Sequence, residues 1–355
     1  MSSSPPRAGP SRAARLRRAL LVLAGALVLA ELGFRLLGPA LGVDPLELAQ
    51  LRAAYARGDH GTFAPKAYVG YSRNPALEYT NRLGFAGPEY PVQRTPGVPR
   101  IACVGSAVVD PDTPRDGFPR YLARVFAEQG REVQVLDWTV PGWTSAETLI
   151  NYLLDVQDYG ADVVVIQQAY GDVEPRLWPD LKPDYSHYRE PWRRPRAGRL
   201  ERLAVYGSDL YAAWRLRSGP PPVEALVNRE PPEADAPAGP ETRWVYERNL
   251  RTLCEEVLVR GSSLVLVTVP AAPAWREEGP RAARRAELLA EHNQLLRELA
   301  AELGATLVDA DQWVLSLPEE TAKLIRAPVY SRSDGEHVKA SLVAQAIQGA
   351  GALER

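Results

Sequence analysis

Apolar positions along the chain follow two periods. Short runs rich in β-branched residues, Ile101 to Val104, Val133 to Leu136, Val163 to Gln167, Leu264 to Val269 and Thr306 to Asp309, read as strands covered on both faces. Between and after them, Phe118 to Glu128, Ala146 to Tyr159, Trp244 to Val259 and Ala282 to Leu303 carry apolar residues at helical spacing. Strand-like runs that alternate with helices predict an α/β fold, a three-layer α/β/α domain with a mainly parallel sheet over residues 100–350.

Three stretches depart from this alternation. The first is the apolar run from Ala19 to Leu37, preceded by Arg7, Arg12, Arg15, Arg17 and Arg18. Its uninterrupted core is short against the ~20 residues that a span needs, but a helix from Leu16 to Leu37 is long enough, with Glu31 near the far interface and Arg35 able to snorkel. No small-x-small cleavage site follows at the right distance, which favours an uncleaved signal anchor over a cleaved signal peptide. Positive charge before the run predicts residues 1–18 inside the cell and the main domain exported.

The second stretch, 38–99, reads as a stalk and lead-in, with a helix from Pro45 to Arg57 and then Tyr, Gly and Pro residues without clear period. The third, 172–242, interrupts the domain. It begins with the aromatic and charged segment Pro179 to Trp192, continues with a predicted helix from Leu200 to Leu216, and ends in a low-complexity segment from Ser218 to Pro240 that reads as a surface linker. The aromatic segment leaves the C-terminal end of a strand, so a lid and a packed excursion are both open readings.

Composition narrows the function classes. A formal charge of -2, with Arg-rich stretches broken by Glu and Pro, gives no basic stripe for nucleic acid. Cys103 in a predicted strand and Cys254 on a predicted helix read as two buried thiols rather than a disulfide. No cluster of His, Cys, Asp and Glu has metal-ligand spacing, and no dinucleotide fingerprint follows a strand, so neither metal nor cofactor is expected. His187 reads as a packed or surface histidine, His292 as an exposed helix position, and His60 falls in the lead-in.

Open parallel sheets carry their sites at the strand C-terminal ends. Four such places stand out: Gly105-Ser106-Ala107, Val140-Pro-Gly142-Trp-Thr-Ser145, Ala169-Tyr-Gly171-Asp172, and Asp334-Gly-Glu-His337 before the last predicted helix. Together with Asn81-Arg-Leu-Gly-Phe85-Ala-Gly-Pro-Glu-Tyr90, their order resembles the blocks of the SGNH/GDSL hydrolases, in particular membrane-anchored bacterial members. The resemblance implies a flavodoxin-like sheet and a serine mechanism on acyl esters, with His337 as base, Asp334 as its orienter and the Gly142 N–H as an oxyanion donor.

Two blocks depart from that pattern. Aligned without a gap, Ser106 falls where the family has Asp or Gly, and Ala107 where it has the nucleophile; with a turn one residue shorter, Ser106 itself is the nucleophile. In the third block the family's Gly-x-Asn-Asp becomes Ala169-Tyr170-Gly171-Asp172, so the Asn amide is missing. Losing one oxyanion donor costs roughly 10²–10³ in rate, and losing the nucleophile around 10⁶. Two functions therefore stand side by side. One is a tethered ester hydrolase or O-acyl transferase, impaired by these changes and acting on a cell-surface glycan or lipid. The other is an inactive member that binds a glycan or a membrane-protein partner through the old cleft.

Overall fold

The computed structural model describes residues 12–45, 48–49, 51–52, 63–75, 77–106, 117–178, 181–189, 199–218, 242–270, 280–318 and 333–354. Along the chain these form α1 (Arg12–Leu37), β1 (Phe63–Lys66), β2 (Gly70–Arg73), β3 (Arg100–Gly105), α2 (Phe118–Glu128), β4 (Gln134–Thr139), α3 (Ser145–Leu154) and β5 (Val163–Gln167). There follow α4 (Val173–Arg176), α5 (Arg199–Gly207), α6 (Asp209–Arg217), α7 (Arg243–Val259), β6 (Ser263–Val267), α8 (Pro280–Leu303), β7 (Thr306–Val308), α9 (Ala310–Leu315) and α10 (Ser333–Gly349).

The main sheet has five parallel strands in the order β4-β3-β5-β6-β7. This is the flavodoxin-like order, with the switch point between β3 and β5. Alternate residues of each strand face opposite layers, as the pleat requires. Ala102, Val104, Leu136, Trp138, Val164, Ile166, Leu264 and Leu266 pack with Leu250 and Leu253 of α7 and Leu295 and Leu299 of α8. Ile101, Cys103, Val135, Val163, Val165 and Val267 pack on the other side with Leu122 and Phe126 of α2 and Val343 and Ile347 of α10. The three-layer α/β/α architecture expected from the sequence is thus present.

Differences from expectation are local. The lead-in, read as aperiodic, contains the antiparallel hairpin β1–β2. After it, Asn81 Oδ1 accepts the N–H groups of Leu83 and Phe85, and Gly84 takes φ 86° where an added Cβ would lie 2.1 Å from Ser72 Oγ. That turn drives Phe85 against Trp138, with ring centroids 4.4 Å apart, and against Trp143. The predicted helix over 200–216 is broken in two because Ser208 leaves helical geometry and its Oγ caps the N–H of Tyr211. The predicted linker from Ser218 to Pro240 lies, beyond Ser218, outside the described residues, as do His60 and much of the predicted 45–57 helix.

The chain divides into two compact units, 1–61 with 194–225, and 62–193 with 226–355. The 172–242 excursion is therefore shared: its first part folds with the sheet, and α5 and α6 fold with the anchor segment. In the smaller unit Val43, Leu48 and Leu51 pack with Val205, Ala212 and Ala213 as a core of its own.

At the N-terminal edge of β3, fully buried Arg100 donates to the carbonyls of Pro91, Val92, Gln93 and Tyr159 and to Gln134 Oε1, at 2.7–3.1 Å. One side chain thus ties residues 91–93, β4 and the carbonyl of Tyr159, which is buried, to the start of β3. Arg100→Met is expected to lower stability by about 1–3 kcal/mol, because it leaves that buried acceptor unpaired. Urea unfolding monitored by tryptophan fluorescence reads the change directly.

Candidate active site

Three of the four sequence blocks meet at the switch point. Gly105 ends β3 at φ 131°, and a Cβ there would stand 2.0 Å from Gln167 O of β5, so the two strand ends approach as only glycine allows. Ser106 continues the ladder, its N–H donating to Gln167 O at 3.1 Å. Its side chain is 2 % exposed and its Oγ is buried, with no hydrogen-bond partner among the described residues. From the second block, Val140 donates to Gly105 O, and Gly142 turns the chain at φ 75°. From the third, Gly171 closes on both: a Cβ added to it would lie 1.8 Å from Trp143 O and 3.1 Å from Ser106 Oγ. The position where the resemblance calls for Asn is therefore closed to any side chain.

Asp172 holds this junction together. Its buried carboxylate accepts the N–H and Oγ–H of Ser145 at the start of α3, Gln168 Nε2 at the end of β5, and the Tyr185 hydroxyl at 2.6 Å. Burial pushes its pKa up from the ordinary carboxylate range, against the pull of these donors. Tyr185 reaches it from a left-handed backbone at φ 58°, a conformation that L-residues adopt at a cost of roughly 1–2 kcal/mol.

The excursion braces the second block as well. Arg189 pairs with Glu147 at 2.5 Å, donates to Gly142 O at 2.6 Å and lies over the ring of Tyr71. Tyr71, from β2, donates its hydroxyl to Pro141 O, and its own carbonyl accepts from the Trp143 indole. Glu147 completes a capping box with Thr144. Over 181–189 the aromatic segment is packed, with Tyr185, His187 and Tyr188 buried. His187 accepts the Lys182 N–H and meets Pro175 O, so it is a packed histidine. Trp138 and Trp143 are core residues.

His292 corrects an expectation. It is fully buried, not exposed: Nδ1 lies 2.8 Å from Ala169 O, Nε2 lies 2.7 Å from Arg176 Nη1, and the ring stacks on Tyr246 at 4.0 Å. Because a carbonyl only accepts, Nδ1 carries the proton and Nε2 accepts from Arg176. The stripe Leu288, Leu289, His292, Leu295, Leu296, Leu299 held the signal, since a histidine on an apolar helical stripe faces the core. Nothing local marked Arg176, Tyr185 or Arg189 as supports of the blocks.

The fourth block falls inside α10 rather than before it. The neighbouring Glu336 fixes this turn, accepting the Phe118 N–H at 2.8 Å and Lys339 Nζ at 2.7 Å. His337 is exposed, its ring set edge-on to Tyr121 with centroids 5.6 Å apart. Asp334 lies in the first turn of α10, its side chain outside the described residues, as is Ala107. Both thiols are buried, and burial pushes Cys103 well above its ordinary value and Cys254 up to about 12, so neither is a nucleophile at neutral pH. Among the described residues no group of His, Cys, Asp and Glu could hold a metal.

Two consequences can be measured. Gly171→Asn puts back the family's residue but forces its Cβ into the Trp143 carbonyl; a loss of about 2–3 kcal/mol in urea unfolding is expected. The second concerns pH. Burial, then the Arg176 charge, pull His292 down to about 3. Below the unfolded value of about 6.5 the unfolded chain binds a proton that the folded one refuses, so this group's contribution is full above that pH and falls as pH drops towards 3. Asp172, held above its ordinary range, acts in the opposite sense: its contribution is present at low pH and lost as pH rises through the folded pKa. His292→Gln is expected to flatten the stability profile between roughly pH 6 and 4 by about 1.4 kcal/mol per pH unit, one proton's worth, in urea titrations across that range.

Known proteins resemble this chain at low sequence identity. Among solved structures, a lipase/acylhydrolase from Enterococcus faecalis is 17 % identical over 71 % of this chain and 97 % of its own, with a TM-score of 0.43. An acetylxylan esterase from Geobacillus stearothermophilus is 14 % identical over 70 % and 94 %, with a TM-score of 0.42. A GDSL-like lipase from Bacteroides thetaiotaomicron is 16 % identical over 71 % and 88 %, with a TM-score of 0.40. No curated protein sequence matches the chain. The family profile of the GDSL-like lipases and acylhydrolases matches residues 101–329, a span that takes in Ser106, Gly142, Gly171 and Asp172 and stops short of Asp334 and His337. By that match over more than half its length, the chain belongs to the GDSL-like lipase/acylhydrolase family.

Proposed function

We propose that this protein is a membrane-anchored member of the family that has given up serine-dependent ester hydrolysis and works by binding, with an acylated glycan or lipid as its ligand class. The observation that carries this reading is the Ser106 N–H bonded to Gln167 O. In the resembled mechanism the nucleophile's own N–H is an oxyanion donor, whereas this N–H is committed to the sheet and the Oγ beside it is buried. Ser106 then fits the place before the nucleophile, and the ungapped register assigns the nucleophile position to Ala107. The closed position of Gly171 supports the same conclusion, because no side-chain amide can be aimed from there.

Anchoring rests on α1. Its stretch Arg17–Leu37 is 21 residues long with a mean hydropathy of 2.1, and none of it is buried within the protein. That length suits one crossing of a bilayer. The arginines before it support an N-terminus inside and a family domain on the exported side.

Hydrolysis of short p-nitrophenyl esters by the wild type, Ser106→Ala and His337→Ala tests the proposal. All three are expected to match the buffer background, as loss of a serine nucleophile costs around 10⁶ in rate. Robust turnover by the wild type that Ser106→Ala abolishes would overturn it and install Ser106, His337 and Asp334 as a working triad.

A further inference from the structure

The smaller unit is apolar on more surface than its own core uses. Val205 of α5 and Ala212 and Ala213 of α6 face inward, against Val43, Leu48 and Leu51. On the outside, Leu200 (82 % exposed), Leu203 (68 %) and Tyr206 of α5 continue into Leu210 and Trp214 (57 %) of α6. Leu200, Leu203 and Tyr206 recur at steps of three along α5, and Leu210 and Trp214 at a step of four along α6, so each helix turns apolar positions to the exterior. Leu36, Leu37 and Leu41, at the end of α1 and just after it, are exposed too. Stripes of this kind mark an interaction surface.

Glu31 identifies what covers it. It is the one charge between Arg18 and Arg35 in the apolar helix. Its carboxylate accepts the N–H of Asp209 at 2.7 Å, the N–H of Leu210 and the Ser208 hydroxyl, and pairs with Arg35 at 2.8 Å. Arg35 reaches on to Gly207 O and Asp209. The junction of α5 and α6 is therefore pinned at residue 31, while the span runs on to Leu37. At 1.5 Å per residue the pinning point lies about 9 Å inside the end of the span.

A bilayer thick enough to cover α1 to Leu37 therefore reaches past the α5–α6 junction. The helices bound there cannot stand clear of the lipid. The depth matches the ~5–10 Å at which interfacial helices bury their apolar faces. Trp214 and Tyr206 have the amphipathic rings favoured at that level, and Tyr206 keeps its hydroxyl bonded to Arg52 O at 2.8 Å.

We infer that the α5–α6 pair is a second membrane contact, an interfacial element whose Leu200–Leu203–Tyr206–Leu210–Trp214 stripe lies in the headgroup and upper acyl layer beside α1. The inference rests on α1 being a membrane span. In this arrangement α5 and α6 hold the segment that follows the span down on the lipid surface, so the anchor is not a single helix with a free stalk.

The test uses the full-length protein in phosphatidylcholine/phosphatidylglycerol nanodiscs, with an environment-sensitive fluorophore on a single introduced cysteine at Leu27, the middle of the span, or at Leu203 or Trp214. Cys103 and Cys254 are buried and do not compete for label. Lipids carrying a spin label at a shallow or a deep acyl position quench according to depth. Fluorophores at 203 and 214 are expected to be quenched about twofold or more better by the shallow label than by the deep one, and the Leu27 fluorophore better by the deep one. Quenching at Leu27 with none at 203 and 214 would overturn the inference while leaving the span in place. Blue-shifted but unquenched fluorescence at 203 and 214 would do the same, showing a second copy or another protein on the stripe. A Leu27 fluorophore untouched by either label removes the span itself and the inference with it.

Discussion

The carboxylate of Asp172 is shut away from solvent, and Ser145, Gln168 and Tyr185 supply the donors that bulk water would otherwise offer it. Each donor comes from a different element: the first turn of α3, the end of β5 and the excursion that follows. A buried carboxylate is tolerated only while its donors stay in place, so the three elements are held as one piece at the switch point of the sheet. The excursion is drawn back over the second block by the same logic, Arg189 reaching Glu147 and the Gly142 carbonyl from the far end of a segment that began at Asp172.

Crowding at that junction shapes its chemistry. Gly105 and Gly171 are glycines because backbone carbonyls of Gln167 and Trp143 occupy the space that a Cβ would need. Ser106 is folded into the ladder, and the space at residue 171 is filled by main chain. The fold of a hydrolase is kept by packing in two layers that do not depend on the site. The architecture therefore does not depend on which groups line the cleft, in keeping with the general separation of fold from function.

A different constraint governs the smaller unit. An acid in an apolar helix is destabilising unless its oxygens are satisfied, and Glu31 finds its partners at the N-terminus of α6, where backbone N–H groups lack helical acceptors. Two segments more than 170 residues apart in sequence are thereby joined. The unit's small core of Val43, Leu48, Leu51, Val205, Ala212 and Ala213 adds to the same association.

Strand and helix positions of the main domain were legible because period-two and helical patterns are local consequences of which face is covered; the predicted strand 163–167 and helix 118–128 match the structure residue for residue. The hairpin β1–β2 was not legible, since its short strands lack alternation and take their meaning from Tyr71 and Phe85 docking on the tryptophans. His292 was misread because its neighbours Glu291, Asn293 and Gln294 are polar, although the leucines one turn away on either side marked the buried stripe. The block residues were proposed from their order along the chain, with Gly171 where the resembled pattern has Asn. Order along a chain says which strand end a residue occupies. Whether Ser106 offers its N–H to a substrate or to Gln167, and whether the space at residue 171 is open, depends on how closely β3 and β5 approach, a distance set by atoms far apart in the sequence and written in no local pattern.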